Sequence, residues 1–415
     1  MTGQMLFDLG VAPSVSTGDA AVVAQPEPAE RPEIDGPVAV GAAAAGSPRS
    51  TPSPIIVAGR RLEPTPVFDT YWRFAAARQE LYQERLQGGP GPWTADPILS
   101  CHRFTNCFRA ADRVSQFLIG DVSYQGSQDC DEVVFRTLMF KLFNRVETWK
   151  LLEGEFEAVS WAEFDLDRYD TVLSAALRQG RRLYSAAYLM PPPRLGAARK
   201  HTNHLHLIQM MMRNGLAETA TRARSLGAVY EAMLAYPAIG PFLAFQLTID
   251  LNYSSVIDHP ESEFVVAGPG ARDGIRKCFG RLADGIEHEV IRYMADHQQE
   301  HFDRLDLDFR GLKDRRPLQL IDCQNLFCEV DKYARVAHPH IEGISKRHRI
   351  KQRYRPVSAS MPAWFPPKWG INEVGSRPMH LDGATGANPR PASSPRTPAG
   401  TLDVLAVGTT TGGTL

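Results

Sequence analysis

The sequence predicts a mainly α-helical domain flanked by two flexible tails. Three observations lead there. Apolar residues recur at three- and four-residue spacing through most of the interior. Only one short segment, 263–267, alternates as a strand would. The ends, residues 1–65 and 373–415, are rich in Ala, Pro, Gly, Ser and Thr and nearly free of aromatic residues. Such ends bury too little apolar surface to offset the entropy of ordering them.

The helices follow in order. Residues 66–86 form an amphipathic helix that starts after two prolines and stops at the GGPGP run of 88–92. Residues 105–119 form a second, with Val114, Phe117 and Leu118 on one side. Residues 129–143 form a third, with Asp131 available as a cap and Phe135, Leu138, Met139 and Leu142 at helical spacing. Further helices are expected over 160–182, 197–214 and 225–236. The Pro- and Trp-rich stretch 362–370 reads as an extended segment packed on the core. The chain therefore divides into an arm (1–65), a helical domain (66–340), a basic and Pro/Trp-rich extension (341–372) and a tail (373–415).

The formal net charge is −1, so the chain as a whole carries no field that attracts polyanions. Charge is nevertheless uneven: SKRHRIKQRYR at 345–355 holds six Lys and Arg, whose natural partner is phosphate. A solvated surface run is the alternative. The six cysteines, at 101, 107, 130, 278, 323 and 328, include no C-x-x-C pair, so a zinc ribbon or an iron–sulfur loop is not expected. With no signal peptide they read as reduced thiols in a cytoplasm. No apolar run reaches membrane-spanning length. His201, His204 and His206 lack a nearby carboxylate or cysteine, and no metal site is expected there.

The most interpretable segment is 225–255. Leu226, Val229, Met233 and Leu234 form an apolar stripe. Tyr236 precedes Pro237, and the residue before proline avoids the α region, which ends that helix. Gly240 can take the positive φ of a tight hairpin, and Pro241 suits the first turn of a new helix. Phe242, Phe245 and Ile249 continue inward. This is the form of a helix-hairpin-helix, which points backbone N–H groups and a helix N-terminus at a phosphate. An ordinary αα-hairpin has the same outline. YPAIGP resembles the LPGVG hairpin core of DNA glycosylases, although Pro241 and Phe242 stand where a basic residue usually follows.

Further stretches extend the likeness: FTNCFRAADRVSQFLI at 104–119, LMFKLFN at 138–144, YSAAYLM at 184–190 and GPFLAFQ at 240–246. To these add DLNYS at 250–254, EFVVAGPGA at 263–271 and IDCQNLFCEVDK at 321–332. Together they resemble the helical domain of 5-hydroxymethyluracil DNA kinases. That superfamily is also described as α-glutamyl/putrescinyl-thymine pyrophosphorylases, related to helix-hairpin-helix DNA glycosylases. The resemblance implies a DNA-glycosylase-like helical fold and base chemistry on DNA. The implied reaction moves the γ-phosphate of ATP or GTP, with Mg²⁺, onto the hydroxymethyl group of 5-hydroxymethyluracil.

No G-x-x-x-x-G-K-[ST] loop and no protein-kinase motif set occurs, so a triphosphate site has to be assembled from side chains and helix ends. Its cations are expected among Arg109, Arg113, Lys141 and Lys200. The glycine turn of Gly268 and Gly270 is a second phosphate candidate. The candidate acids are Asp112, Asp250, Asp258 and Glu263. A glycosylase of this fold carries its catalytic aspartate about twenty residues after the hairpin glycine, which brings Asp258 and Glu263 forward. Asn106, Asn144, Gln246 and Asn252 are amides within apolar motifs, and Tyr188 and Tyr253 are aromatic platforms. With Gly240 they are the candidates for holding a flipped base. Asp322, Asn325, Glu329 and Lys332 share one helix face.

Two alternatives stay open: a glycosylase-like or pyrophosphorylase-like enzyme on modified thymine, and a non-catalytic DNA-binding module. QMLFDL at 4–9 faintly resembles a sliding-clamp-binding peptide.

Overall fold

A computed structural model describes residues 52–88, 91–186, 190–354 and 363–376. The tail, most of the arm, the QMLFDL peptide and Tyr188 lie outside the described residues. The chain begins with a hairpin of β1 (Ile55–Val57) and β2 (Arg60–Leu62), antiparallel with Ile55 opposite Leu62. Ala58 and Gly59 both take positive φ, as a two-residue hairpin turn of this twist requires. The expected arm is thus too long at its inner end. Val57 and Leu62 are buried, and Arg60 donates to the carbonyls of Leu282 and Asp284 at 3.1 and 2.7 Å.

The helices are α1 (Pro66–Leu86), α2 (Pro97–Cys101), α3 (Arg113–Phe117), α4 (Cys130–Phe143), α5 (Val146–Glu155), α6 (Leu166–Arg178) and α7 (Lys200–Arg213). They continue with α8 (Leu216–Arg222), α9 (Leu226–Leu234), α10 (Pro241–Asn252), α11 (Pro269–Phe279), α12 (Glu287–Asp296), α13 (Gln298–Arg304) and α14 (Leu320–Ala337). The mainly α reading holds, and α1 has the expected bounds. Thr65 caps it by accepting from the Val67 N–H, with Pro66 at the first position. Expected helices 160–182 and 197–214 are shorter at their starts, where the chain runs irregularly before α6 and α7.

Two groups of helices pack around the core. One holds α1, α11, α12 and α14; the other holds α4 to α10. Residues 104–123 join them and differ most from expectation. In place of one helix the chain has an extended start, a 3-10 turn at Arg109–Ala111, the short α3 and a π turn at Leu118–Ser123. Side chains, rather than helical carbonyls, take its amides: Glu329 accepts from the Thr105 N–H, Asp112 from Asn106 and Asp322 from Arg109, at 3.0, 2.8 and 2.8 Å. The shared face of α14 is the seat of this segment.

Residues 263–267 form no strand. Val265 and Ala267 point inward, which produces the alternation, yet no strand lies alongside. Arg292 instead takes the carbonyls of Ser262 and Glu263 at 2.7 and 2.9 Å. Residues 363–371 do pack on the core: Phe365 is fully buried, and the Trp364 N–H reaches Gln116 Oε1 at 2.8 Å.

Helices α11 and α14 approach as closely as glycine allows. A Cβ on Gly274 would sit 2.1 Å from the Phe327 carbonyl oxygen, and one on Gly270 would sit 3.0 Å from Cys328 Sγ. Gly274→Ala is therefore expected to cost about 2–3 kcal/mol or more, as overpacking against backbone does. Gly240→Ala, with open space around it and negative φ, should lie within about 0.5 kcal/mol of the parent. Urea unfolding of both variants checks the contrast.

Candidate active centre around Arg109 and Asp250

Helix α10 is apolar nearly all round, so it runs through the core. Of its buried polar residues, Gln246 and Asp250 stand four apart and share one face. That face meets Arg109 from the 3-10 turn. Arg109 Nε donates to Gln246 Oε1 at 3.0 Å and Nη2 to Asp250 Oδ1 at 2.7 Å. From α4, Lys141 Nζ lies 3.2 Å from Asp250 Oδ2 and donates to Asn144 Oδ1 at 2.9 Å. Asn144 ends α4 in the left-handed conformation, φ 50°, which turns its side chain back onto Lys141. The Arg109 guanidinium also lies 5.4 Å from the centre of the Tyr253 ring. Asp250 is fully buried, and Arg109 and Lys141 are 4% and 3% exposed.

A second tier sits beside this one. Asp322 accepts from the amides of Arg109 and Gln319 and forms a capping box at the start of α14. Burial pushes its carboxyl up to about 7, with the charge of Glu261 the next cause, against the two N–H bonds that favour the ionised form. Glu261 is itself buried and raised by burial, opposed first by Arg316, whose Nη2 lies 3.2 Å away. The Arg316 guanidinium rests 3.8 Å from the Trp369 ring centre, and Trp369 meets Tyr253 edge-on at 5.6 Å. Lys368 donates to the carbonyls of Ser254 and Ile257. The Pro/Trp-rich segment thereby closes over Tyr253 and the cluster. Burial pushes Lys141 down, opposed by Asp250, and pushes Asp112 up to about 6.

Arg109, Lys141, Asn144, Gln246, Asp250 and Tyr253 therefore come together. The other expected residues go elsewhere. Asp112 precedes α3 and is engaged by the Asn106 amide. Asn106 accepts from Arg78 and donates to the Ala111 carbonyl, so it braces the backbone. Asn252 clamps a loop, exchanging hydrogen bonds with the backbone of His259 at 2.9 and 3.0 Å. Asp258 has a 76% exposed side chain, 3.6 Å from Lys368, and Glu263 and Arg113 are exposed.

Gly268 is no open phosphate cradle. A Cβ there would meet the Phe242 ring at 2.7 Å, so the glycines of this turn serve close packing. Gly240 is exposed at the start of α10 with Pro241 behind it, but its φ is −81°. The positive φ falls on Ala238, at 62°. One residue was passed over: Glu261 lies between Asp258 and Glu263, 21 residues after Gly240, nearer the expected spacing than the outer candidate.

Lys200 stands apart. It lines two adjoining cavities of about 680 and 380 Å³, with Arg194 on one wall and Arg182 and Arg199 on the other. Its Nζ lies 4.1 Å from the Tyr184 ring centre. No carboxylate is among the lining residues. The Tyr184 segment backs onto the end of α4, where the Ser185 N–H donates to the Phe143 carbonyl at 3.0 Å. His201 bonds Ser174, and His204 bonds Tyr184 and the Pro191 carbonyl. The cations Lys200, Arg182 and Arg194 of the cavity walls suit phosphate oxygens. For Mg²⁺ the fit is poor at both places, because the cavity offers no acid and the buried acids already accept from N–H groups or cations. No group of three His, Cys, Asp or Glu among the described residues is arranged to hold a metal ion.

The protein is thus a mainly helical one with a buried charged cluster on α10 and an exposed turn at the start of that helix. The chain belongs to the family described as "5-hmdU DNA kinase, helical domain", whose profile matches residues 65–343. It is also similar to a protein named 5-hmdU DNA kinase from Bacillus phage SP10, with 27% identity over 289 residues. The match covers 64% of this chain and 45% of the relative, so the chain spans less than half of that protein. No solved structure matches the chain. Among the described residues no helix is long and apolar enough to cross a membrane.

Removing the Asp250 carboxylate leaves two buried cations facing each other. Asp250→Ala should cost about 3–5 kcal/mol in urea unfolding. Asp322 has a folded value near 7, above the roughly 3.9 of an unfolded Asp. Its favourable contribution is complete below about pH 4 and is lost as pH rises towards 7. Asp322→Asn should flatten the fall in the urea midpoint between pH 4 and 7; a parallel curve for parent and variant would refute this assignment.

Proposed function

We propose that this chain is the DNA-acting helical part of a base-hypermodifying kinase. Its substrate is 5-hydroxymethyluracil in DNA, turned out of the duplex, and its donor is ATP or GTP with Mg²⁺. The hydroxymethyl oxygen attacks the γ-phosphorus, the bond to the β–γ bridging oxygen breaks, the hydroxyl proton is lost, and a nucleoside diphosphate leaves. The observation that carries the reading is the family match over 65–343, which spans every element that converges on Arg109 and Asp250. The name of the phage relative supports the same chemistry.

The parts divide by exposure. The clamped Asp250 cluster positions α4, α10 and the 104–123 segment. The Lys200 cavity supplies cations for the donor phosphates. Any Mg²⁺ would have to come with the triphosphate, because no group of acids among the described residues is arranged to hold it. The turn at Gly240 meets the DNA backbone.

A second reading has one specific observation in its favour. The Asp250 cluster is sealed and the sequence holds no Walker loop, which suits a module that binds DNA while a partner transfers the phosphoryl group.

Incubation with γ-labelled ATP or GTP and duplex DNA containing 5-hydroxymethyluracil, followed by nucleoside analysis, separates the two. Transfer to 5-hydroxymethyluracil and none to thymine is expected. Lys200→Ala should raise the KM for the triphosphate roughly tenfold to a hundredfold, as loss of one charge-assisted contact does. Retained DNA binding without transfer would favour the second reading.

A further inference from the structure

The basic run at 345–354 is held on the surface as a strap. The Ser345 N–H donates to Asp273 Oδ1 at 2.7 Å, and Arg347 Nη2 to Asp273 Oδ2 at 3.0 Å, which fixes the strap to α11. The Arg349 carbonyl accepts from Arg335 on α14 at 3.2 Å. The far end pairs with the segment after α2: Arg103 N–H to the Gln352 carbonyl at 3.1 Å, and Tyr354 N–H to the Cys101 carbonyl at 3.0 Å. Arg353 is bridged antiparallel to His102.

These anchors use backbone groups and Arg347. They leave Lys346, Arg349, Lys351, Arg353 and the neighbouring Arg103 exposed, and no acid pairs with them among the described residues. Ile350 and Tyr354 are half-buried, so the apolar side of the strap is turned inward. In an extended chain, alternate residues such as Arg349, Lys351 and Arg353 share a side at roughly 6.6 Å intervals.

Helix α11 touches both the strap and the hairpin region, at residues five apart. The Phe242 ring, two residues past Gly240, lies against Gly268. Gly268 to Asp273 is roughly 7–8 Å of helix.

We infer that the strap forms a surface for the phosphate backbone of duplex DNA. The inference rests on the proposed reading that the substrate is DNA, and adds the surface that grips it. Exposed large apolar side chains beside the strap are Ile344 and Val336, at its start and on α14, while Lys346, Arg349, Lys351 and Arg353 are all exposed, so charge dominates this face. A row of cations suits the phosphates of a duplex, where one charge falls every 1.7 Å or so of axis.

The test is fluorescence anisotropy of a labelled duplex from 50 to 300 mM KCl. Lys346, Arg349, Lys351 and Arg353 are changed together to Ala, and Arg347 is kept because it holds Asp273. The slope of log K against log salt should shrink by about 3.6 if each of the four cations meets a phosphate, close to 0.9 for each lost contact. A control with Arg178, Arg213, Arg222 and Arg281 changed to Ala has the same net charge and should keep the parent slope. If the quadruple variant melts early, Lys351→Glu alone is measured instead, with an expected reduction of about 1 or more. An unchanged slope in the strap variant, or equal loss in the control, overturns the inference. Phosphoryl transfer is scored separately. A smaller slope without any transfer upholds the surface and removes the kinase reading, whereas transfer with an unchanged slope does the reverse.

Discussion

The carboxylate of Asp250 is where three parts of the molecule meet. Arg109 brings the 104–123 segment to it, Lys141 brings α4, and Asp250 itself lies on α10. Each group is charged and almost wholly buried, so none is tolerable without the others. The irregular run before α3 follows from this demand. A regular helix over 105–119 would keep the Arg109 amide within its own ladder, whereas the 3-10 turn gives that amide to Asp322 and the guanidinium to Asp250. Asp322 in turn starts α14, which ties the second group of helices to the same point.

The surroundings explain why this arrangement is closed. Trp369 and Arg316 cover Tyr253, and Lys368 ties the covering segment to the backbone after α10. Polar groups reach solvent elsewhere, at the Lys200 cavity, the Gly240 turn and the basic strap. The buried centre and the exposed surfaces are linked by short paths. The end of α4 separates Lys141 from the Tyr184 wall, and the start of α11 separates the turn from the strap. A rigid centre of this kind holds those surfaces in fixed relation.

Much of the fold was legible. Helical periodicity marked α1, α4 and the α9–α10 pair, and Pro241 marked the start of α10 within one residue. The motifs also identified Arg109, Lys141, Gln246 and Asp250, polar residues inside apolar runs that buried chains retain only with partners. What was not legible depended on distant neighbours. Val265 and Ala267 alternate as a strand does, but a strand needs an edge to pair with. Gly268 and Gly270 look like a phosphate turn from their spacing alone; only the packing of Phe242 and Cys328 against them shows that they permit close approach. Asp258, Glu261 and Glu263 are three acids in six residues, and nothing local distinguishes the buried one.

The sequence by itself determined that the interior is helical, that a hairpin turns at 237–241 and that charged residues interrupt apolar helices. These follow from side-chain period, proline geometry and the cost of unpaired charge, all short-range properties. The tertiary structure decided which charges meet, that Glu261 faces inward while its neighbours do not, and that 345–354 is tied to α11 and α14 with most of its cations exposed. Those outcomes depend on contacts between residues far apart in the chain, which local pattern does not encode.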